Sequence, residues 1–138
     1  VKTIAVDDPA VRAEVARQFW DYERAFMANE VETLVDFFWG DPRLTRYGIA
    51  DRQLGIEQMR AFRRGTPAPD FTREIENLRI TSFGPDMAVA YCEFVRSDTD
   101  LRGFQSQTWV RLAPENGAAP AWKIVSAHVS MIAWPQPR

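Results

Sequence analysis

Four segments of strand composition, residues 71–83, 87–98, 101–113 and 121–133, follow one another through the second half of the chain. Their connections, residues 84–86, 99–100 and 114–120, are too short for the crossover of about a dozen residues that parallel neighbours need. The connecting stretches carry Gly84, Pro85 and Asp86, then Asp98 and Asp100, then Pro114, Gly117 and Pro120, which are turn formers. The chain is therefore constrained to an antiparallel meander.

The part before the meander is mainly helical. Asp8 stands as an N-cap with Pro9 at the first helical position, and Asn29 is a stop. Between them Val11, Val15, Phe19, Tyr22 and Phe26 recur at steps of four, four, three and four, which is one helix face. A second helix is expected within residues 30–39, and a third within 55–65, bracketed by Gly55 and Gly65. Residues 43–50 read as a short mixed strand, 63–70 as a loop and 134–138 as a tail. Helices first and sheet afterwards is an α+β order. A chain of 138 residues accommodates one domain, 1–138, with a sizeable core.

Composition removes several function classes. With 17 basic residues against 19 acidic ones the net charge is −2, so no basic excess points to nucleic acid or an anionic membrane surface. No apolar run approaches the ~20 residues of a membrane span and no apolar leader precedes a cleavage site, so a cytoplasmic protein is expected. Cys92 is the only cysteine, which excludes an intrachain disulfide and suits a small buried residue. One histidine and one cysteine give no nitrogen or sulfur metal cluster, and no calcium-loop spacing occurs, so neither metal nor cofactor is expected. A G-x-S-x-G elbow, a phosphate-binding loop, a dinucleotide fingerprint and the serine-rich stretch of amidase-signature enzymes are all missing from the sequence.

A few residues carry chemistry. Tyr22 lies in the apolar stripe of the first helix, so its hydroxyl requires a partner, either a backbone carbonyl or a ligand. On the short strand, period-2 alternation groups Leu44, Arg46 and Gly48 against Arg43, Thr45 and Tyr47. If the first face points inward, Arg46 needs an anion, and its planar fork suits a carboxylate; Arg43 takes its place if the faces are reversed. On the last strand Trp122, Ile124, Ser126, His128, Ser130 and Ile132 share a face, which places the single histidine between hydroxyls in a half-lined pocket. Gln105, Gln107 and Trp109 share a face of the preceding strand, and Trp39 and Tyr47 are further candidates for lining or packing. Asp21 and Glu23 flank Tyr22 and are expected to be solvated, so no inward-facing aspartate base is expected.

The helix order, the short strand and the closing "WKIVSAHVS" resemble the nuclear-transport-factor-2-like superfamily, also called SnoaL-like or cystatin-like. That resemblance implies a cone: three N-terminal helices packed on a strongly curved, mainly antiparallel sheet enclosing a pocket. Residues 19–63, "FWDYERAFMANEVETLVDFFWGDPRLTRYGIADRQLGIEQMRAFR", are similar to the AtzH-like family linked to oxalurate catabolism, whose members accompany amidases in bacterial nitrogen-compound degradation. The implied activity is a decarboxylating amidase step of cyanuric acid breakdown, the conversion of 1,3-dicarboxyurea to allophanate, without a metal.

On that reading Arg46 anchors a substrate carboxylate and Tyr22 supplies a proton to the departing nitrogen, since a phenol ordinarily keeps its proton at neutral pH. His128, Trp39, Trp109, Gln107 and Ser130 then contact the substrate. The resemblance further implies a homodimer formed through the outer sheet face, and a functional association with a partner amidase. A ligand-binding accessory protein without turnover, and an isomerase or dehydratase of the same fold, are the competing readings.

Overall fold

A computed structural model of the protein describes residues 3–114 and 116–135; residues 136–138 of the expected tail lie outside them. The chain runs α1 (Pro9–Ala28), α2 (Val31–Asp36), β1 (Thr45–Tyr47), β2 (Arg52–Leu54), α3 (Ile56–Gly65), β3 (Arg73–Ser82), β4 (Met87–Arg96), β5 (Arg102–Leu112) and β6 (Ala121–Ile132). One six-stranded sheet has the order β2-β1-β6-β5-β4-β3 and is not closed, β2 and β3 being its edges. The meander β3 to β6 is antiparallel throughout. Among the named strands β1 lies parallel to β6, and the intervening α3 and meander supply the long connection that a parallel pair requires.

Helix α1 forms where its caps and stripe dictate. Asp8 Oδ1 accepts from Ala10 N–H at 2.9 Å, Pro9 occupies the first turn, and Asn29 takes the left-handed conformation at φ 52°. Val11, Val15, Phe19, Tyr22 and Ala25 are buried against the sheet with Leu34 and Phe38 from the α2 region, Met59 of α3, and Trp109 and Ile124. Glu23 is buried as well, contrary to the expectation of a solvated charge. The buried arc of α1 is wide enough to include the Phe19, Glu23, Phe26 row beside the Tyr22 row.

A bulge decides the facing of β6. Its register with β5 runs Thr108 to Ser126 but Trp109 to Ile124, so Val125 is the extra residue. Each strand face has period two, and one inserted residue exchanges the faces beyond it. Trp122 and Ile124 are accordingly buried before the bulge, and Ala127 and Val129 after it. Unbroken alternation had placed Ser126, His128 and Ser130 inside with Trp122. The bulge places them on the outer face instead.

Candidate functional site

Three buried guanidinium groups and three phenylalanine rings alternate in one series, the ring of Phe26 coming from α1. Arg46 lies over the Phe62 ring at 5.4 Å, and Arg63 lies over Phe62 at 5.4 Å and Phe26 at 5.5 Å. Arg73 lies over the same Phe26 at 4.9 Å and over Phe94 at 4.1 Å. Gly103 makes the last contact feasible: a Cβ there would stand 2.1 Å from the Phe94 ring, so only hydrogen leaves room for it. Cation–π contacts of this kind hold a guanidinium in an apolar setting but do not neutralise it.

Each arginine meets a different counterpart. Arg73 is ion-paired with Glu23, its Nε lying 2.7 Å from Oε1 in a contact too bent for a hydrogen bond, while its Nη2 donates to Glu23 Oε2 at 3.2 Å and to Gln105 Oε1 at 2.9 Å. Burial pushes the Glu23 carboxyl above its ordinary value although Arg73 opposes the shift. Arg46 Nη1 donates to Asp51 Oδ1 at 2.9 Å and to Gln53 Oε1 at 2.8 Å. Burial pulls the Arg46 guanidinium below its ordinary value; the Arg63 charge adds to this, whereas Tyr22 and Asp51 work against it.

Arg63 is different. It is only 4% exposed, it makes no ion pair with a carboxylate among the described residues, and its Nε has no hydrogen-bond partner. Its Nη2 donates to Tyr22 Oη at 3.2 Å. Tyr22 is in turn set by edge contacts with the rings of Phe37 at 5.7 Å and Phe38 at 5.9 Å. A buried cation without a counter-charge is costly, and this unpaired charge marks the candidate site.

The expected residues divide accordingly. Tyr22 and Arg46 face the interior beside Arg63, whereas Arg43 lies outside on Asp41 and over the Trp39 ring. Gln107 and Trp109 are buried and bonded to one another, Trp109 Nε1 donating to Gln107 Oε1 at 3.1 Å, and Trp109 meets Phe37 edge-on at 6.2 Å. Gln105 is buried on Arg73. His128, Ser130, Tyr47 and Trp39 do not reach the interior: His128 and Tyr47 pack edge to face on the outer side, and Trp39 is half-buried under Arg43. Cys92 is buried, and its thiol is pushed up to about 12 by burial.

Arg63, Asp51 and Gln53 did not emerge from the sequence. Ile56, Met59 and Arg63 stand at steps of three and four on α3, a spacing that carries Arg63 to the buried face. Asp51 is brought against Arg46 by a tight turn rather than by strand alternation, its side chain staying 32% exposed. A concavity of about 440 Å³ lies on the outer sheet face, lined in part by Arg79, Tyr91, Phe104, Ser106 and His128. We place the candidate site inside, because that is where a buried charge lacks its counter-charge. Among the described residues no group of three or more His, Cys, Asp or Glu side chains is arranged to hold a metal, and no helix is long and apolar enough to cross a membrane.

Known proteins agree with this architecture. A cystatin-like fold protein from Burkholderia xenovorans LB400 is 43% identical, with 96% of this chain and 99% of that one covered and a TM-score of 0.86. A protein of unknown function from Pectobacterium atrosepticum SCRI1043 is 41% identical over 93% and 95% of the two chains, with a TM-score of 0.84. A putative ketosteroid isomerase from Parabacteroides distasonis shares the fold at 16% identity, covering 94% and 96%, with a TM-score of 0.65. No curated protein matches the chain. Residues 4–134 match the AtzH-like family, and with two close structural relatives the chain belongs to that family, within the cystatin-like, nuclear-transport-factor-2-like fold.

Proposed function

We propose that the protein is a decarboxylating enzyme of N-carboxylated ureas, converting 1,3-dicarboxyurea to allophanate. The observation that carries this reading is Arg63, buried, without a carboxylate partner among the described residues, and bonded to the Tyr22 hydroxyl. Because the Tyr22 oxygen accepts from Arg63, the phenol's own hydrogen is free to be donated to a ligand. Arg63 receives one ligand carboxylate, Arg46 orients the other end, and Tyr22 protonates the nitrogen. The N–C bond breaks, its electron pair stays on nitrogen and is taken up by the proton, and the carboxylate leaves as CO2. The dianion plus one proton gives the allophanate monoanion and CO2, so atoms and charge balance. Gln107 and Trp109 form the wall behind Phe37.

The outer face, with exposed Tyr47, Met87, Tyr91 and Ile132, we assign to a second copy of the chain. The partner amidase belongs to the same reading, as the source of a short-lived substrate.

The test is turnover of 1,3-dicarboxyurea generated in situ by an upstream amidase, followed as CO2 and allophanate. Wild type is compared with Tyr22→Phe and Arg63→Gln, with folding checked by circular dichroism. Acceleration lost in both variants supports the reading. Saturable binding with no acceleration over the spontaneous reaction replaces it with a ligand-binding accessory protein.

A further inference from the structure

The β1–β2 turn sets a carboxylate, Asp51, 32% exposed, against the buried guanidinium of Arg46. Arg46 Nη1 donates to Asp51 Oδ1 at 2.9 Å and to Gln53 Oε1 at 2.8 Å, and Gln53 Nε2 donates to the same Asp51 oxygen at 2.9 Å. These three side chains form a closed ring of hydrogen bonds. The ring exists because residue 48 is glycine: a Cβ there would lie 2.2 Å from Asp51 Oδ1 and 2.8 Å from Arg46 Nη1. The deeper Glu23–Arg73 pair balances itself across Phe26. Among the described residues, Tyr22 is left with Arg63 bonded to its hydroxyl and Arg46 near it, and Asp51 is the carboxylate paired with Arg46.

We infer that Asp51 is the specificity-determining residue of the site, limiting it to a single uncompensated positive charge. A ligand monoanion matches that charge. A dianion has one carboxylate paired with Arg63, while the other must share Arg46 with Asp51 and stays under-compensated in a partly desolvated place. This inference deepens the decarboxylation reading and rests on it for its catalytic meaning. The under-compensated carboxylate is the one that leaves, because its departure as CO2 and the uptake of a proton turn a mismatched dianion into a matched monoanion. Asp51 touches Arg46 and acts through it, so it is a positioning residue rather than a catalytic one.

Two stable probes of similar size separate the possibilities: N-carbamoylglycine, a ureido monoanion, and malonate, a dianion, titrated calorimetrically into the purified protein. Wild type is expected to bind the monoanion more tightly. Asp51→Asn should tighten malonate by about tenfold while moving the monoanion by less than about threefold, since charge and not shape has changed. Gln53→Glu adds a second carboxylate to the ring and should weaken both probes, malonate more, whereas the tightening expected of Asp51→Asn is a gain that a misfolded variant cannot show. With dicarboxyurea, Asp51→Asn should lower KM and kcat together. Equal shifts for both probes, or no binding of either to wild type, would overturn the inference. Turnover in wild type without the change in probe preference removes the inference and leaves the reaction, whereas the change in preference without turnover removes the reaction and leaves the charge limit.

Discussion

Gly48 and Asp51 close the turn between β1 and β2, Gly48 N–H donating to the Asp51 carbonyl at 2.9 Å, while the Asp51 carboxylate fills the space a Gly48 side chain would take. Gly48→Ala therefore forces the carboxylate off Arg46. The atoms that must give way are side-chain ends, so the cost is that of depriving buried Arg46 of an acceptor, about 1–3 kcal/mol. Adding Asp51→Ala should return part of that loss, because the second substitution removes the clash made by the first. Urea unfolding of the two single variants and the double gives the coupling. Additive losses would mean that the two residues do not meet.

Arg63 makes an unusual prediction about sign. A buried guanidinium without a counter-charge is a cost in the resting protein, and leaving such donors unmet is worth about 1–3 kcal/mol. Arg63→Met keeps the apolar stem and removes the charge, so the variant should unfold at higher urea while losing turnover and carboxylate binding. A stability loss above about 1 kcal/mol would show that Arg63 is satisfied structurally and is not held ready for an anion.

Much of the frame was legible because it depends on local rules. Asp8, Pro9 and Asn29 bound α1, the turn residues bound the meander, and alternation on β5 put Gln105, Gln107 and Trp109 on one buried face. What was not legible depends on departures from period. Val125 bulges and exchanges the faces of β6, and no residue in "WKIVSAHVS" announces where an extra position will be absorbed. Asp51 enters through a turn whose geometry Gly48 permits, which neither helical nor strand spacing encodes. Glu23 and Arg63 were readable in principle, by taking each helix's buried arc as wider than its apolar stripe.

Glu23 and Arg73 are buried together, so removing one partner strands the other. Glu23→Ala, which leaves Arg73 without that partner, should cost about 3–5 kcal/mol, whereas Glu23→Gln, which mimics the protonated carboxyl that burial favours, should cost far less, and replacing both with apolar residues of similar volume should be close to neutral. The pH dependence has a definite sign. Burial raises the Glu23 pKa in the folded state above its ordinary carboxylate value, so the folded chain binds that proton more tightly than the unfolded one. Its contribution to stability is thus fullest below the ordinary carboxylate pKa and is lost as pH rises through the folded value. Wild type should lose stability relative to Glu23→Gln as pH rises from the acid range to neutral, the two being most alike where the carboxyl is protonated. Glu93 and Asp98 work oppositely, since hydrogen bonds from Arg102 and Arg96 lower them; their contribution is present above the ordinary value and lost as pH falls through the folded one. Denaturant titrations of wild type and variant across the acid range, compared as differences, separate Glu23 from these two.

The bulge in β6 has a consequence for the one histidine. His128 stands level with Tyr47 across the parallel β1–β6 pair, and the two rings meet edge to face at 6.3 Å on the outer side of the sheet. Arg46 and Ala127, one register position earlier, are buried. The sheet therefore separates the imidazole from the Tyr22 hydroxyl, and a proton passing between them would have to cross it. His128→Ala should leave kcat and KM for dicarboxyurea within about twofold of wild type, because surface changes away from a site seldom exceed ~0.5 kcal/mol. The change should instead weaken association of the chain with itself, read as a shift toward monomer in sedimentation velocity at low concentration. A large fall in kcat with the oligomeric state unchanged would return His128 to the catalytic machinery, and would mean that the outer concavity, not the arginine-lined interior, holds the substrate.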